Sequence, residues 1–240
     1  MPSASPKKPG AKTSRTVSPS KQVKKTAPAW TTAKISAILD RLEKAYPSAH
    51  LELDFTSPLE LLIATIMAAQ CTDKLVNEVT AKLFKKYCRP EDYVAVPLEE
   101  LEQDIRPVTF FQNKARLIQK CCRQLIDRHG SNVPANLDAL VDLPGVGRKT
   151  ANVVLAHAFG QQTVAVDTHV KRLSSERLYF SQQADPDKIE TELRNLLPPQ
   201  RYTLGTILLQ WHGRYTCQAR RPQCGKCVIV ELCPYEKKTL

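Results

Sequence analysis

Apolar residues recur at helical spacing along most of the chain from Thr31 onward. The run from Leu61 to Ala69 is almost entirely apolar, which is typical of a well-buried helix. No alternating pattern of the kind that indicates a half-buried strand continues for more than a few residues. The pattern therefore predicts an all-α fold.

Several local signals mark where these helices begin. Ser57 precedes Pro58 and Glu60, an order that predicts an N-cap, a proline in the first turn and a capping-box glutamate. Thr72 or Asp73 is expected to cap the next helix, which should end near residue 87, and the pair 185–186 marks a later start. Further helices are predicted at about 97–105, 112–129, 136–143, 148–159, 168–179, 186–197 and 200–213.

Charge is distributed unevenly along the chain. Lys and Arg number 35 against 24 Asp and Glu, a net charge of +11. Residues 1–30 hold seven of these cations, no acidic residue and almost nothing to bury, so we interpret them as a disordered basic arm. A basic protein of this size favours a polyanionic partner, most simply nucleic acid.

Eight cysteines occur in a chain without an apolar run long enough to span a membrane and without the apolar core of a secretory signal. This combination indicates a reducing compartment, where clustered cysteines bind metal more often than they form disulfides. Cys217, Cys224, Cys227 and Cys233 follow the spacing Cys-x6-Cys-x2-Cys-x5-Cys. Four thiolates within 17 residues can hold an iron–sulfur cluster, and ligand chemistry alone leaves zinc open. The other four are predicted to lie inert in helices: Cys71, Cys88, Cys121 and Cys122.

A glycine turn separates two predicted helices at residues 143–151. Gly145 and Gly147, two positions apart, permit positive φ and hence a sharp turn. The next helix then begins with free backbone N–H groups near Lys149, which favour an anion such as a DNA phosphate. An ordinary helical corner is the alternative for a bare Gly-x-Gly.

The string around this turn, residues 143–154 followed by 164–169, resembles the endonuclease III family of helix–hairpin–helix DNA glycosylases. The resemblance runs from about Ala33 to Tyr235 and leaves only the arm outside it. It includes the segments 57–62, 69–73 and 113–115 and the C-terminal cysteines.

The resemblance implies that Lys149 is a catalytic nucleophile and Asp167 its partner carboxylate. A lysine amine can attack C1′ of the sugar and form a Schiff base. Since most lysines are protonated at neutral pH, the site must keep this amine uncharged or remove its proton. The ordinary alternatives are a solvated lysine and an N-cap aspartate, and Asp167 can act as both cap and carboxylate. Thr65 stands where adenine-mismatch glycosylases carry a glutamate, which favours the bifunctional interpretation.

The resemblance also implies contacts with DNA. Gln70 and Phe110 would insert into the duplex, although Thr109 replaces the usual glycine of the second loop, and Phe111 is expected in the core. Gly145, Gly147 and Arg148 would contact the backbone from the hairpin. The cysteine spacing is similar to that of the family's [4Fe–4S] cluster, which would present Arg220 and Arg221 to DNA.

Two helical domains flanking a DNA-binding cleft are implied. A helical barrel would comprise 51–161, with the helix–hairpin–helix near 137–159, and a cluster domain would combine 31–50 with 162–240. The implied function is removal of oxidised pyrimidines from double-stranded DNA, followed by β-elimination at the abasic site, by a monomer located in the cytoplasm with the nucleoid, or in the nucleus of a eukaryote. The alternatives are a monofunctional glycosylase for uracil or mismatched bases and a non-catalytic DNA-binding module.

Overall fold

The computed structural model describes residues 29–239, and all regular structure in that part of the chain is helical. Since these residues contain no β-strand, the predicted all-α fold is confirmed. The predicted basic arm lies outside the described residues except for its last two positions. The α-helices are α1 (Thr32–Ala45), α2 (Pro58–Ala68), α3 (Asp73–Lys86), α4 (Pro90–Ala95), α5 (Leu98–Asp104), α6 (Phe111–His129), α7 (Leu137–Val141), α8 (Arg148–Phe159), α9 (Thr168–Arg172), α10 (Pro186–Leu196) and α11 (Tyr202–Tyr215).

Helix α2 begins where its N-cap predicts. The Ser57 hydroxyl accepts a hydrogen bond from the Glu60 N–H at 3.2 Å, and Pro58 is the first helical residue. The predicted capping box is wrong in its second half, because the Glu60 carboxylate bonds Thr56 instead of the Ser57 N–H. Thr56 supplies both a backbone N–H, at 2.5 Å, and a hydroxyl, at 2.8 Å, to the same oxygen.

Two elements differ from the sequence prediction. Helix α4 was not predicted, because its six residues are too few to display a helical period. The helix predicted at 168–179 is α-helical only to Arg172 and continues as a π-helical turn at Leu173–Arg177. Wider turns of this kind are frequent at functional sites. Here the turn directs the buried side chain of Arg177 toward the C-terminal cysteines.

The helices enclose two separate hydrophobic cores. The first contains residues from Leu53 to Leu155 and is built mainly by α2, α3, α6 and α8. The second combines α1 with residues from Val164 to Ile229. The chain therefore contributes α1 to the second core, then forms the first core, and then completes the second core. This arrangement supports the division at residues 50–51 and 161–162, which stays a prediction. No described helix has both the length and the apolar character that crossing a membrane requires.

Candidate active site and cysteine site

The glycine turn joins α7 to α8, and only one of its glycines needs positive φ. Gly145 has φ +82°, and a Cβ there would lie 3.2 Å from the Leu117 Cβ, so both backbone and packing demand glycine. Gly147 has φ −91°, which any residue adopts, so the expectation of positive φ is wrong at this position. It is the N-cap of α8, no side chain caps that helix, and the space beside it is open. The first N–H groups of α8 are therefore approachable by an anion.

Arg148, the first residue of α8, is engaged by a buried carboxylate. Its guanidinium forms two hydrogen bonds with Glu190 of α10, at 2.7 and 2.9 Å, and the Glu190 side chain is only 3% exposed. The Asn152 amide donates to the same carboxylate at 2.9 Å and to the Val164 carbonyl at 3.2 Å. This network fixes the start of α8 against the second core, and a phosphate contact by the Arg148 side chain stays a prediction.

Lys149 and Asp167 line one cleft, of about 410 Å³, between the two cores. Lys149 is the second residue of α8 and is exposed. Asp167 is the N-cap of α9, where its Oδ1 accepts a hydrogen bond from the Val170 N–H at 2.7 Å. The cap uses one of the two carboxylate oxygens of Asp167. The remaining walls come from both cores and include Val153, Ala156, His157, Thr203, Ile207 and Gln210.

A second cavity, of about 360 Å³, adjoins the cleft and shares Lys149, Val153 and Gln210 with its lining. Two carboxylates of its lining, Glu52 and Asp73, bind the Arg214 guanidinium of α11, the latter at 3.0 Å. The Tyr215 hydroxyl also donates to Glu52, at 2.6 Å. These contacts join the two cores beside the cleft. Because one guanidinium pairs with both carboxylates, Arg214 compensates only part of the negative charge of Glu52 and Asp73 near Lys149.

The two predicted wedge residues share an unusual backbone. Gln70 has φ +58° and Phe110 has φ +57°, a conformation that costs energy in residues with a Cβ. Both are exposed, and Phe110 is the most exposed large apolar residue described, at 62%. Thr109 lies outside the positive-φ region, so its replacement of glycine is tolerated. The positive φ occurs instead at Phe110, the residue after Thr109. Phe111 is partly buried and packs against the first core.

Cys217, Cys224, Cys227 and Cys233 line a cavity of about 400 Å³, and none of them forms a disulfide. In the described part of the chain, no set of three or more Cys, His, Asp or Glu residues converges on the position of one metal ion. A single tetrahedral zinc, at about 2.3 Å from each sulfur, requires such convergence. The four thiols instead line one shared cavity.

Two arginines, Arg172 and Arg177, lie close enough to these thiols for their charges to act on Cys217. Within residues 29–239, the Nε atoms of Arg172 and Arg177 are buried and have no hydrogen-bond acceptor. Burial raises the pKa of Cys217 to about 11, while the charges of both arginines oppose the rise. A buried donor without an acceptor is costly, and an anionic sulfur-rich group in the cavity would relieve that cost for Arg177, which lines it. The His212 Nε2 also lies 3.5 Å from the Cys227 Sγ. The residues present thus fit an iron–sulfur cluster.

The loop after Cys217 is held by contacts with Arg177, and its next residues are exposed to solvent. Arg177 donates to the Ala219 carbonyl at 3.1 Å, and its guanidinium stacks on the Tyr235 ring at 4.0 Å. Arg220 and Arg221 are both exposed. The loop therefore presents two cations to solvent from a rigid base.

The other cysteines are not all alike. Cys121 and Cys122 are fully buried in α6, and burial raises the pKa of Cys121 to about 12, so they are inert as predicted. The prediction of a helical position is wrong for the other two. Cys88 follows the end of α3 and is exposed, and Cys71 follows the end of α2 and accepts a hydrogen bond from the Thr109 N–H at 3.2 Å.

Comparisons with known proteins decide the family. Residues 63–199 match the family model described as HhH-GPD superfamily base excision DNA repair protein. Endonuclease III of Bacillus subtilis is 46% identical over 83% of this chain and 91% of its own length. Endonuclease III of Escherichia coli K12 is 43% identical over 86% of this chain and 97% of its own length. The chain belongs to the endonuclease III family.

Solved structures extend this assignment. A trapped covalent intermediate of endonuclease III with DNA superposes with a TM-score of 0.81, at 48% identity, over 85% of this chain and 96% of that one. A thermostable thymine-DNA glycosylase is more distant, with a TM-score of 0.75 at 25% identity, over 86% and 98% of the two chains. This family member is a DNA glycosylase with AP lyase activity in base excision repair. It is therefore neither a non-catalytic DNA-binding module nor a monofunctional glycosylase.

Sequence reasoning missed the residues that position the site. Glu190 and Asn152 contact each other across 38 positions of sequence, and Arg214 contacts Asp73 across 141. Lys114 was noted only as part of a motif, yet it is buried at 5% exposure and donates to two carbonyls. The sequence signal that could have identified Lys114 is that a charged residue occupies the apolar face of α6.

Proposed function

We propose that this enzyme removes oxidised pyrimidines from duplex DNA through a Schiff base formed by Lys149. The observation that supports this most is that Lys149 and Asp167, 18 positions apart, line one cleft at the junction of two cores. The cleft opens to solvent beside both side chains, and its walls come from both cores. Chemistry on a base requires the nucleotide to be turned out of the duplex, and an open cleft between two cores is where its sugar could meet Lys149.

The chemistry follows from the two side chains. The Lys149 amine, freed of its proton, attacks C1′ of the extruded nucleotide, and the N-glycosidic bond breaks with release of the base. The sugar ring opens to an imine, which acidifies the C2′ proton. Loss of that proton breaks the bond between C3′ and its oxygen and cuts the strand. Asp167 accepts protons and stabilises positive charge on the sugar.

A panel of duplexes, each with one oxidised pyrimidine, uracil or a mismatched thymine, tests this proposal. We expect release of the oxidised pyrimidines with strand cleavage in the same incubation. A duplex with an oxidised purine serves as the control for pocket selectivity. Release of uracil or thymine in preference to every oxidised pyrimidine would contradict the proposed substrate class.

The four cysteines are proposed to hold a [4Fe–4S] cluster, which would fix the C-terminal loop and supply no step of base removal. Cys217, Cys224, Cys227 and Cys233 would be its ligands. Elemental analysis of the purified protein is expected to give about four iron atoms and four acid-labile sulfides per chain. One zinc per chain without sulfide would contradict the proposal.

We further propose that Arg220 and Arg221 contact DNA phosphates, as the exposed cations of the anchored loop. Neutralising both, in the Arg220→Ala/Arg221→Ala variant, is expected to lower the slope of log K against log salt concentration by about 2. Arg123→Ala, which removes an exposed cation from α6, is the matched control. An unchanged slope would show that the loop does not touch the backbone.

We propose double-stranded DNA as the partner that binds the cleft and the residues around it. Gln70 and Phe110 would fill the gap left by the extruded nucleotide, and the open N-terminus of α8 would bind a phosphate. The monomeric state and a location with the bacterial nucleoid stay predictions, and so does any role of the basic arm.

A further inference from the structure

The loops that carry Gln70 and Phe110 are joined by one buried cation. Lys114, in the first turn of α6, is 5% exposed. Its Nζ donates to the carbonyls of Met67 and Ala69 at 2.7 and 2.5 Å, where α2 ends. The last carbonyls of a helix lack partners within the helix and carry its negative dipole end, so a cation is well placed there.

A cysteine completes the junction. The Lys114 Nζ lies 3.6 Å from the Cys71 Sγ, and the same sulfur accepts a hydrogen bond from the Thr109 N–H at 3.2 Å. Burial raises the pKa of Cys71, but the bonds from Thr109 and the charge of Lys114 outweigh it and lower the pKa overall. Burial lowers the pKa of Lys114, and Cys71 opposes that effect. Each group therefore favours the charged form of the other.

This junction stands between the two strained residues. Gln70 is flanked by Ala69 and Cys71, both of which contact Lys114. Phe110 follows Thr109, which is bonded to Cys71, and its own carbonyl accepts from the Lys114 N–H at 3.1 Å. Left-handed backbone in residues with a Cβ persists only where the surroundings over-determine it. Lys114 and Cys71 provide those constraints on both loops at once.

We propose that Lys114 and Cys71 are positioning residues that join the loops of Gln70 and Phe110 into one preformed, rigid wedge. The proposal rests on the proposed insertion of these two residues into DNA. Preformation matters because extruding a nucleotide costs a few kcal/mol of stacking and pairing. A wedge ordered before binding avoids a further loss of conformational freedom at that step.

Loss of the Lys114 junction should affect two activities of the same enzyme differently. Base release from a paired lesion in duplex DNA needs the wedge, whereas β-elimination at an abasic site in single-stranded DNA needs no extrusion. In Lys114→Met, we expect base release from duplex to fall by about 10²-fold, the scale of a misplaced positioning group. Cleavage of the single-stranded abasic site should stay within about twofold, which a general loss of folding would not allow.

Cysteine variants test the junction independently of Lys114. Cys71→Ala is expected to lower duplex base release by about tenfold, and Cys71→Ser, whose hydroxyl can accept both hydrogen bonds, should restore most of it. Because the two residues form one unit, the Lys114→Met/Cys71→Ala double variant should lose little more than Lys114→Met alone. Lys120→Met and Cys88→Ala change exposed residues of the same types and serve as controls.

A fluorescent base analogue next to the lesion reports extrusion directly. We expect its unstacking signal to be lost in Lys114→Met and retained in Lys120→Met. Equal losses of duplex and single-strand activity, or full duplex activity in both Lys114→Met and Cys71→Ala, would overturn the proposal. If Lys114→Met does not fold, Cys71→Ala and Cys71→Ser decide alone. A wild-type enzyme that releases no oxidised pyrimidine would instead overturn the proposed function.

Discussion

Replacing Lys149 with glutamine is expected to lower both base release and strand cleavage by at least about 10³-fold, because no amine remains to attack C1′. DNA affinity should change by less than about fivefold, since one charge among several phosphate contacts is lost. Lys149 is exposed in the first turn of α8, and glutamine has a similar helix propensity. The free energy of unfolding should therefore change by less than about 0.5 kcal/mol.

Single-turnover rates on a duplex with one oxidised pyrimidine, together with an equilibrium binding isotherm, measure this prediction. Lys82→Gln is the matched control, since it removes an exposed lysine from α3, which does not line the cleft. Its rates should equal those of the wild type. Cleavage by Lys149→Gln within tenfold of the wild type would mean that another amine is the nucleophile.

The second large effect is expected from Asp167→Asn. Asparagine caps helices about as well as aspartate, so the bond to the Val170 N–H should survive and α9 should stay in place. What the variant loses is the negative charge that accepts protons and stabilises the cationic sugar. We expect the rate of base release to fall by about 10²–10⁴-fold. Imine formation at a preformed abasic site should fall less, because no base has to leave.

Another capped helix supplies the control for this substitution. Asp185 caps α10 by accepting from the N–H groups of Asp187 and Lys188, at 3.0 and 3.1 Å, and does not line the cleft. Asp185→Asn should match Asp167→Asn in thermal stability and the wild type in rate. If Asp167→Asn instead lost stability and activity in proportion, its carboxylate would be a helix cap alone.

Local chemistry made most of the fold predictable. Ser57 with Pro58, Thr72 and Asp185 cap the helices that their sequence context predicts, because capping depends on residues within one turn. Short or irregular elements were less accessible. Helix α4 has only six residues and so no helical period, and the sequence carries no signal for the π-helical turn at Leu173–Arg177.

The candidate site also has one part that local sequence predicts and another that depends on long-range contacts. The structure brings Lys149 and Asp167 to one cleft and the four cysteines to one cavity, as the contiguous motifs that carry them predict, and their roles stay predictions. The network of Arg148 with Glu190 and that of Arg214 with Glu52 join segments that only the tertiary fold brings together. The same holds for the junction of Lys114 with Cys71. The prediction for Gly147 was wrong for a different reason. A glycine there suggested positive φ, whereas its φ is −91° and its missing side chain leaves the start of α8 open.

The position of the covalent bond tests the central claim most directly. The wild-type enzyme is incubated with abasic DNA and borohydride, and the reduced adduct is digested with trypsin and sequenced by mass spectrometry. Modification of Lys149 blocks cleavage after it, so we predict an adduct peptide that spans residues 149–171, with the sugar remnant on Lys149. An adduct on any other lysine or on the α-amino group, with residue 149 unmodified, would contradict the account.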